Sequence, residues 1–245
     1  MARGIPTRSE LPVIALLPNA VTLAAICAGL TAIRFGFHGD YERAVLLILL
    51  AGFLDAVDGR LARLLKSESK TGAELDSLAD FLNFGVAAPL LLYLFALDEM
   101  RSAGWIAVLF FAICCVMRLA RFNVQNKAET VGGDKRYFVG VPAPAGALLA
   151  LLPMFISFLF SDAPLIRPEL VALWMILVGL AMISRVPTYS FKMLTISRSN
   201  VPFFLLGAML LLAALLTYVW ATLVVLDLLY IAGVFWAWRA VKTKE

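Results

Sequence analysis

Residues 55–80 read DAVDGRLARLLKSESKTGAELDSLAD, a polar stretch inside an otherwise apolar chain. Asp55 and Asp58 stand three residues apart, and Asp76 and Asp80 four. Both spacings stack side chains along one face of a helix. At about 100° per residue, Asp55, Asp58, Gly59 and Ala62 share one stripe, and Gly72, Asp76, Asp80 and Asn83 share another. Each stripe mixes carboxylates with small residues, which let a ligand or a second helix approach the backbone.

The surroundings explain why these acids need a reason to be there. Of 245 residues 62% are hydrophobic, and the mean hydropathy is +0.90. A soluble domain is roughly 45–50% apolar. The excess falls in runs of about 20 residues, enough to cross about 30 Å of hydrocarbon as helix. The expected fold is therefore all-α, a polytopic membrane bundle of about eight spans. They are read at 18–37, 41–65, 72–97, 103–123, 141–161, 167–188, 201–218 and 220–238. An ionised carboxylate at a bilayer centre costs roughly 2.5–3.5 kcal/mol on insertion scales.

The net charge of +4 would suit a nucleic acid, but the placement of the charges argues for membrane topology and against a nucleic-acid partner. With eight spans, 17 of the 21 basic residues fall on one side, and only Arg34, Arg43, Arg101 and Arg167 on the other. Positive charge marks the cytoplasmic side. Both termini are then cytoplasmic, and the acids sit at the cytoplasmic interface of spans two and three, an antiparallel pair. The location expected is a bacterial cytoplasmic membrane, with the site facing the cytoplasm. Arg3 and Arg8 precede a first span without a clean cleavage site, so that span reads as retained.

Other residue types narrow the chemistry. Cys27, Cys114 and Cys115 lie in apolar runs without metal or redox spacing, and read as filler. The only histidine, His38, lies in a short polar turn, which disfavours histidine catalysis. The five tryptophans fall mostly towards span ends, as an interfacial belt does. Two polar clusters lie level with the acids: Arg118, Arg121 and Asn123 ending span four, and Ser184 to Lys192 ending span six. Arg118, Arg121 and Arg185 are close enough to apolar segments to call for an anionic partner.

Carboxylates so arranged bind hard divalent cations, which take oxygen ligands and share them with substrate phosphates. Four carboxylates and two divalent ions sum to zero charge, and paired metals suit phosphoryl displacement. Two other readings remain open on spacing alone: a proton or sodium pathway, and structural ion pairs with Arg60 and Arg63.

The pattern D-x2-D-G-x2-A-R-x8-G-x3-D-x3-D resembles the signature of the CDP-alcohol phosphotransferases, and Asp55, Asp58, Gly59, Ala62, Arg63, Gly72, Asp76 and Asp80 match all its fixed positions. The resemblance implies two divalent cations, Mg²⁺ or Mn²⁺, held by Asp55, Asp58 and Asp76 with Asp80 adjoining. It implies Asp80 as general base, and Gly59, Ala62 and Gly72 as room for the CDP moiety of a CDP-lipid. Asp58 and Arg63 would also face that donor, Arg63 on phosphate. Pro18-Asn19, with Thr22, is similar to the family's opening and places Asn19 and Thr22 near the cytidine, although Asn19 also suits a helix cap. The corresponding division is 1–16 as an interfacial segment, 17–192 as the family's membrane domain, and 193–245 as two added spans and a basic tail. Members of the family are usually homodimers.

RLARFNV (118–124), YFVGVPAPA (137–145) and SRVPTYSFK (184–192) are similar to the branch of the family that uses serine as acceptor and CDP-diacylglycerol as donor. Asn83 and the order Ala87-Ala88-Pro89 depart from it beside the site. A zwitterionic serine needs a cation for its carboxylate, and Arg118, Arg121, Asn123 and Arg185 are the candidates. The loop 126–136 reads as a solvated linker. The alternatives are another acceptor, such as glycerol 3-phosphate, inositol phosphate or choline, and, in a different class, a cation or proton transporter.

Overall fold

A computed structural model of the chain describes residues 13–128, 137–160, 164–184, 187–189 and 200–242. Among these, eight helices carry the fold: α1 (Leu17–Phe37), α2 (Tyr41–Leu64), α3 (Lys70–Met100), α4 (Ser102–Ala128), α5 (Ala143–Phe160), α6 (Pro168–Ile183), α7 (Val201–Thr217) and α8 (Val219–Lys242). By length and composition α1, α3, α4, α5 and α8 can each cross a membrane; α6 and α7 are apolar but shorter. α2 has the length, 24 residues, and carries the first two acids. The molecule is a polytopic helical membrane protein, and each of its eight helices overlaps one of the eight expected spans. Tyr218 alone separates α7 from α8.

The sixth span differs from expectation. It stops at Ile183, where Ser184 turns extended (φ −62°, ψ 165°). Pro187 has no N–H with which to continue a helix. Instead β2 (Pro187–Tyr189) pairs antiparallel with β1 (Tyr137–Val139), Phe138 opposite Thr188. Two segments picked out in the sequence are thus partners of each other. Gly140 leaves this ribbon at φ +84°, and a Cβ there would lie 2.5 Å from the Met182 carbonyl oxygen.

α1 and α2 form the most extensive pair in the bundle. Their turn passes through Gly39 at φ +76°. Asp40 caps α2 by accepting from the Arg43 N–H at 3.3 Å. α3 and α5 are the most buried spans, and Leu91, Leu92, Phe111, Met154, Phe155 and Met175 fill the centre. Lipid tails are as apolar as these side chains, so close packing rather than water exclusion holds them. α7 contributes no buried residue. α8 is anchored on α5 through Trp220, which packs on Phe155 and Phe158 and donates to Glu42 of α2 at 3.1 Å.

Two prolines shape the spans near the site. Pro89 interrupts α3, and the helix loosens to π geometry over Phe81–Ala87 and Tyr93–Leu97, the Ala88 N–H reaching the Asn83 carbonyl. Such bulges absorb what a proline removes from the ladder. In α5, Pro153 leaves the Leu149 carbonyl without its helical donor, and the Trp174 indole N–H supplies one at 2.7 Å. Trp174 is thus a bolt between α6 and α5 rather than only a belt residue.

Candidate active site

α2 ends in a short turn with Lys66 at φ 51°. Ser69 then caps α3, accepting from the Gly72 N–H at 3.0 Å. The turn reverses the chain, yet the first part of α3, Lys70–Asp80, keeps its backbone apart from α2, and the two helices pack only further along, over Phe81–Leu92. Both lean on α1 instead. At the Lys70–Asp80 end the two helices face each other through their carboxylates across a cleft.

Three acids converge across that cleft. Carboxylate oxygens of Asp55, Asp58 and Asp76 lie within 4.8 Å of one another. Asp55 also interacts with both Asp76 and Asp80. The Asp80 Oδ1 is buried without a hydrogen-bond partner among the described residues. Acidic oxygens gathered this closely repel unless protons or cations lie between them. Hard divalent ions bind such oxygens at about 2.0–2.6 Å, so this donor set fits one.

The residues around the acids hold them or make space. Asp58 is 3% exposed, and the Thr22 hydroxyl of α1, which also lies 3.1 Å from the Pro18 carbonyl, donates to its Oδ2. Thr22, expected near the cytidine, is engaged with Asp58. Asn19 does not cap α1, because a 3-10 turn (Val13–Leu16) precedes the helix and Leu16 is its N-cap. Its Oδ1 faces Gly72, where a Cβ would lie 3.0 Å away. A Cβ on Gly59 would meet only Arg63, at 3.7 Å. Arg63 is exposed and within electrostatic reach of Asp76. Ala62 is half-buried on the same helix.

The four expected acceptor residues divide. Arg118 is half-buried on α4, within electrostatic reach of Asp80, and lies over the Phe122 ring at 5.5 Å. Arg121 donates to the Ile183 carbonyl at 3.0 Å, capping the last turn of α6. Asn123 is bound to Ser77 of α3 by contacts of 3.0 and 3.2 Å and clamps the two helices. Arg185 lies outside the described residues, as does most of the loop 126–136. Sequence reasoning passes over Tyr230 and Asp227 of α8, though a lone acid in an apolar span is a signal in itself. Tyr230 too is within electrostatic reach of Arg118.

Comparison with known proteins places this constellation. The family model described as CDP-alcohol phosphatidyltransferase matches residues 15–186. A protein of Mycobacterium leprae named CDP-diacylglycerol–serine O-phosphatidyltransferase is 40% identical over 183 residues, 74% of this chain and 60% of that protein. Proteins of the same name from Helicobacter pylori and Bacillus subtilis are 32% identical over 177 residues and 38% over 138. These alignments cover 72% and 56% of this chain, and 73% and 74% of those relatives. The match thus spans about 60% of the length of the mycobacterial relatives.

Proposed function

The chain belongs to the CDP-alcohol phosphatidyltransferase family, and from that premise we propose that it transfers the phosphatidyl group of CDP-diacylglycerol to the hydroxyl of L-serine, giving phosphatidylserine and CMP. The observation that carries this reading is the convergence of Asp55, Asp58 and Asp76 within 4.8 Å, with Asp80 against Asp55. The names of relatives at 32–40% identity support serine as the acceptor.

Two divalent cations, Mg²⁺ or Mn²⁺, would offset the charge of the diphosphate and of the departing CMP. Asp55, Asp58, Asp76 and Asp80 are the residues to hold them. Gly59, Ala62 and Gly72 leave the cleft wide enough for the donor's CDP, with Asn19 and Arg63 at its rim. Asp80 takes the proton of the serine hydroxyl as the new O–P bond forms and the bond to CMP breaks. Its buried Oδ1 is free to accept that proton. Thr22 keeps Asp58 aimed into the cleft. The site faces the cytoplasm, the basic side, where serine and CMP are soluble. The assembly is a homodimer, readable from the mass of the solubilised particle.

The test is CMP release by the purified full chain from CDP-diacylglycerol, with serine, glycerol 3-phosphate, inositol phosphate and choline compared. Release should depend on serine and stop on chelation with EDTA. Equal release with every alcohol would remove the serine assignment. No release with any of them, alongside cation uptake into vesicles, would move the protein to a different class.

A further inference from the structure

The acids of α2 and α3 meet, yet along Lys70–Asp80 the α3 backbone packs on α1 and keeps apart from α2. The gap between the two acid pairs is therefore set through α1, which packs on both helices. α1 meets α3 at two points. Ahead of the acids, the Asn19 side chain faces Gly72, where a Cβ would lie 3.0 Å from its Oδ1. Beyond the acids, Asn83 lies directly on the backbone of Gly29: a Cβ on Gly29 would overlap the Asn83 Oδ1 and lie 3.0 Å from its Cγ. The two points are ten residues apart on α1 and eleven on α3, about 15–17 Å of helix in each case. The helices thus run parallel and in register, with Thr22 on one and Asp76 and Asp80 on the other between the two contacts.

The second contact closes the inner end of the cleft. Asn83 is 1% exposed. The buried ring of Phe84 faces Gly52 of α2, where a Cβ would lie 3.5 Å from it. Gly52 comes three residues before Asp55, and Asn83 three after Asp80. Consecutive residues of α3 are thus seated on a glycine of α1 and a glycine of α2, about one turn from the acids. Neither atom of the Asn83 amide has a hydrogen-bond partner among the described residues, so its shape is what holds it there. Close-packed contacts do not deform freely, and a shift at this seat moves the helix that carries Asp76 and Asp80.

We propose that Asn83, seated on Gly29, is a positioning residue that sets the spacing of the two acid pairs, and with it the affinity and ion-size preference of the cleft for divalent cations. This rests on the reading of the acids as a divalent-cation site. Thr22 fixes Asp58 relative to α1, and Asn83 fixes α3 relative to the same helix, so both acid pairs are measured from α1. Mg²⁺ demands near-ideal octahedral geometry at about 2.0–2.1 Å, whereas Ca²⁺ accepts about 6–8 oxygens at about 2.3–2.6 Å. A wider gap between Asp58 and Asp76 therefore penalises Mg²⁺ first.

The experiment is Mn²⁺ binding by the purified full chain without substrates, read from the electron paramagnetic resonance of the free ion, with Mg²⁺ and Ca²⁺ as competitors. Gly29→Ala forces α3 outwards and should weaken Mn²⁺ by about tenfold or more, with Mg²⁺ losing more than Ca²⁺. A misfolded fraction would lower the number of sites and leave that ratio alone. Asn83→Ala empties the seat and should weaken Mn²⁺ as well. In the double variant the Asn83 Cα lies 3.7 Å from the new Cβ, an ordinary contact, so its affinity should stay within about twofold of Asn83→Ala alone. Asn83→Leu keeps the branched shape without the amide and should recover most of what Asn83→Ala loses. That pair carries the test should Gly29→Ala fail to fold, and Asn83→Leu binding as weakly as Asn83→Ala overturns the proposal. A folded Gly29→Ala within about twofold of the parent overturns it too, as does a double variant weaker than both single ones. A parent that binds no Mn²⁺ removes the cation reading instead, and the proposal with it.

Discussion

A buried carboxylate keeps its aim only if something holds it, and at Asp58 the holder is Thr22 on another helix. Thr22→Val keeps the shape and removes the hydroxyl. A hydrogen bond to a charged group is worth about 1.5–3 kcal/mol, so kcat/KM should fall roughly 10–100-fold, and Thr22→Ser should restore most of it. Asp76→Asn removes charge from the cluster itself and should cost on the order of 10²–10³ in kcat or more. Activity above a tenth of the parent would exclude Asp76 as a ligand. The acids were legible because their spacing is a local property of two helices. Their neighbours were not. Arg121 is committed to a carbonyl 62 residues away, and Asn123 to a serine 46 residues away. Neither commitment leaves a trace in local pattern. Asn123→Ala and Ser77→Ala should therefore lower stability by similar amounts and be non-additive in a double-mutant cycle, with a coupling of about 0.6 kcal/mol typical of membrane helices. A change confined to the serine KM would contradict this.

Among the elements, α3 and α5 show how a proline is accommodated in hydrocarbon. Backbone groups that lose a helical partner must find another, because no water is there to serve. α3 answers with π geometry around Pro89, next to the residues that carry the acids. α5 answers with Trp174, whose indole takes up the Leu149 carbonyl. Trp174→Phe should lower the thermal midpoint, and Pro153→Ala in that background should recover part of the loss by returning a backbone N–H. A Pro153→Ala change that recovers nothing would mean that the indole acts through packing alone. The sixth span, read at 167–188, overran its helix, which stops at Ile183, with a strand at Pro187–Tyr189 beyond it. Hydropathy reports burial in lipid, not the point at which a β ribbon takes over.

For the whole molecule, the acidic cleft and the outer loops should lie on opposite faces of the membrane. Glu68, in the α2–α3 turn, and His38, in the α1–α2 turn, are both exposed. With Cys27, Cys114 and Cys115 replaced by alanine, Glu68→Cys should react with a membrane-impermeant maleimide only from the cytoplasmic side, and His38→Cys only from the other. Labelling of both from one side would reverse the reading drawn from the basic residues. The sequence by itself determined the number of spans, the helical class and the four acids on two stripes. Those properties follow from runs of about 20 apolar residues and from a 3.6-residue period, which any stretch of chain carries alone. Only the tertiary structure decided that α2 and the start of α3 lean on α1 and part into a cleft, that Thr22 serves Asp58, and that α8 brings Tyr230 towards Arg118. Each of these depends on contacts between helices distant in the chain, made by packing that no local pattern encodes.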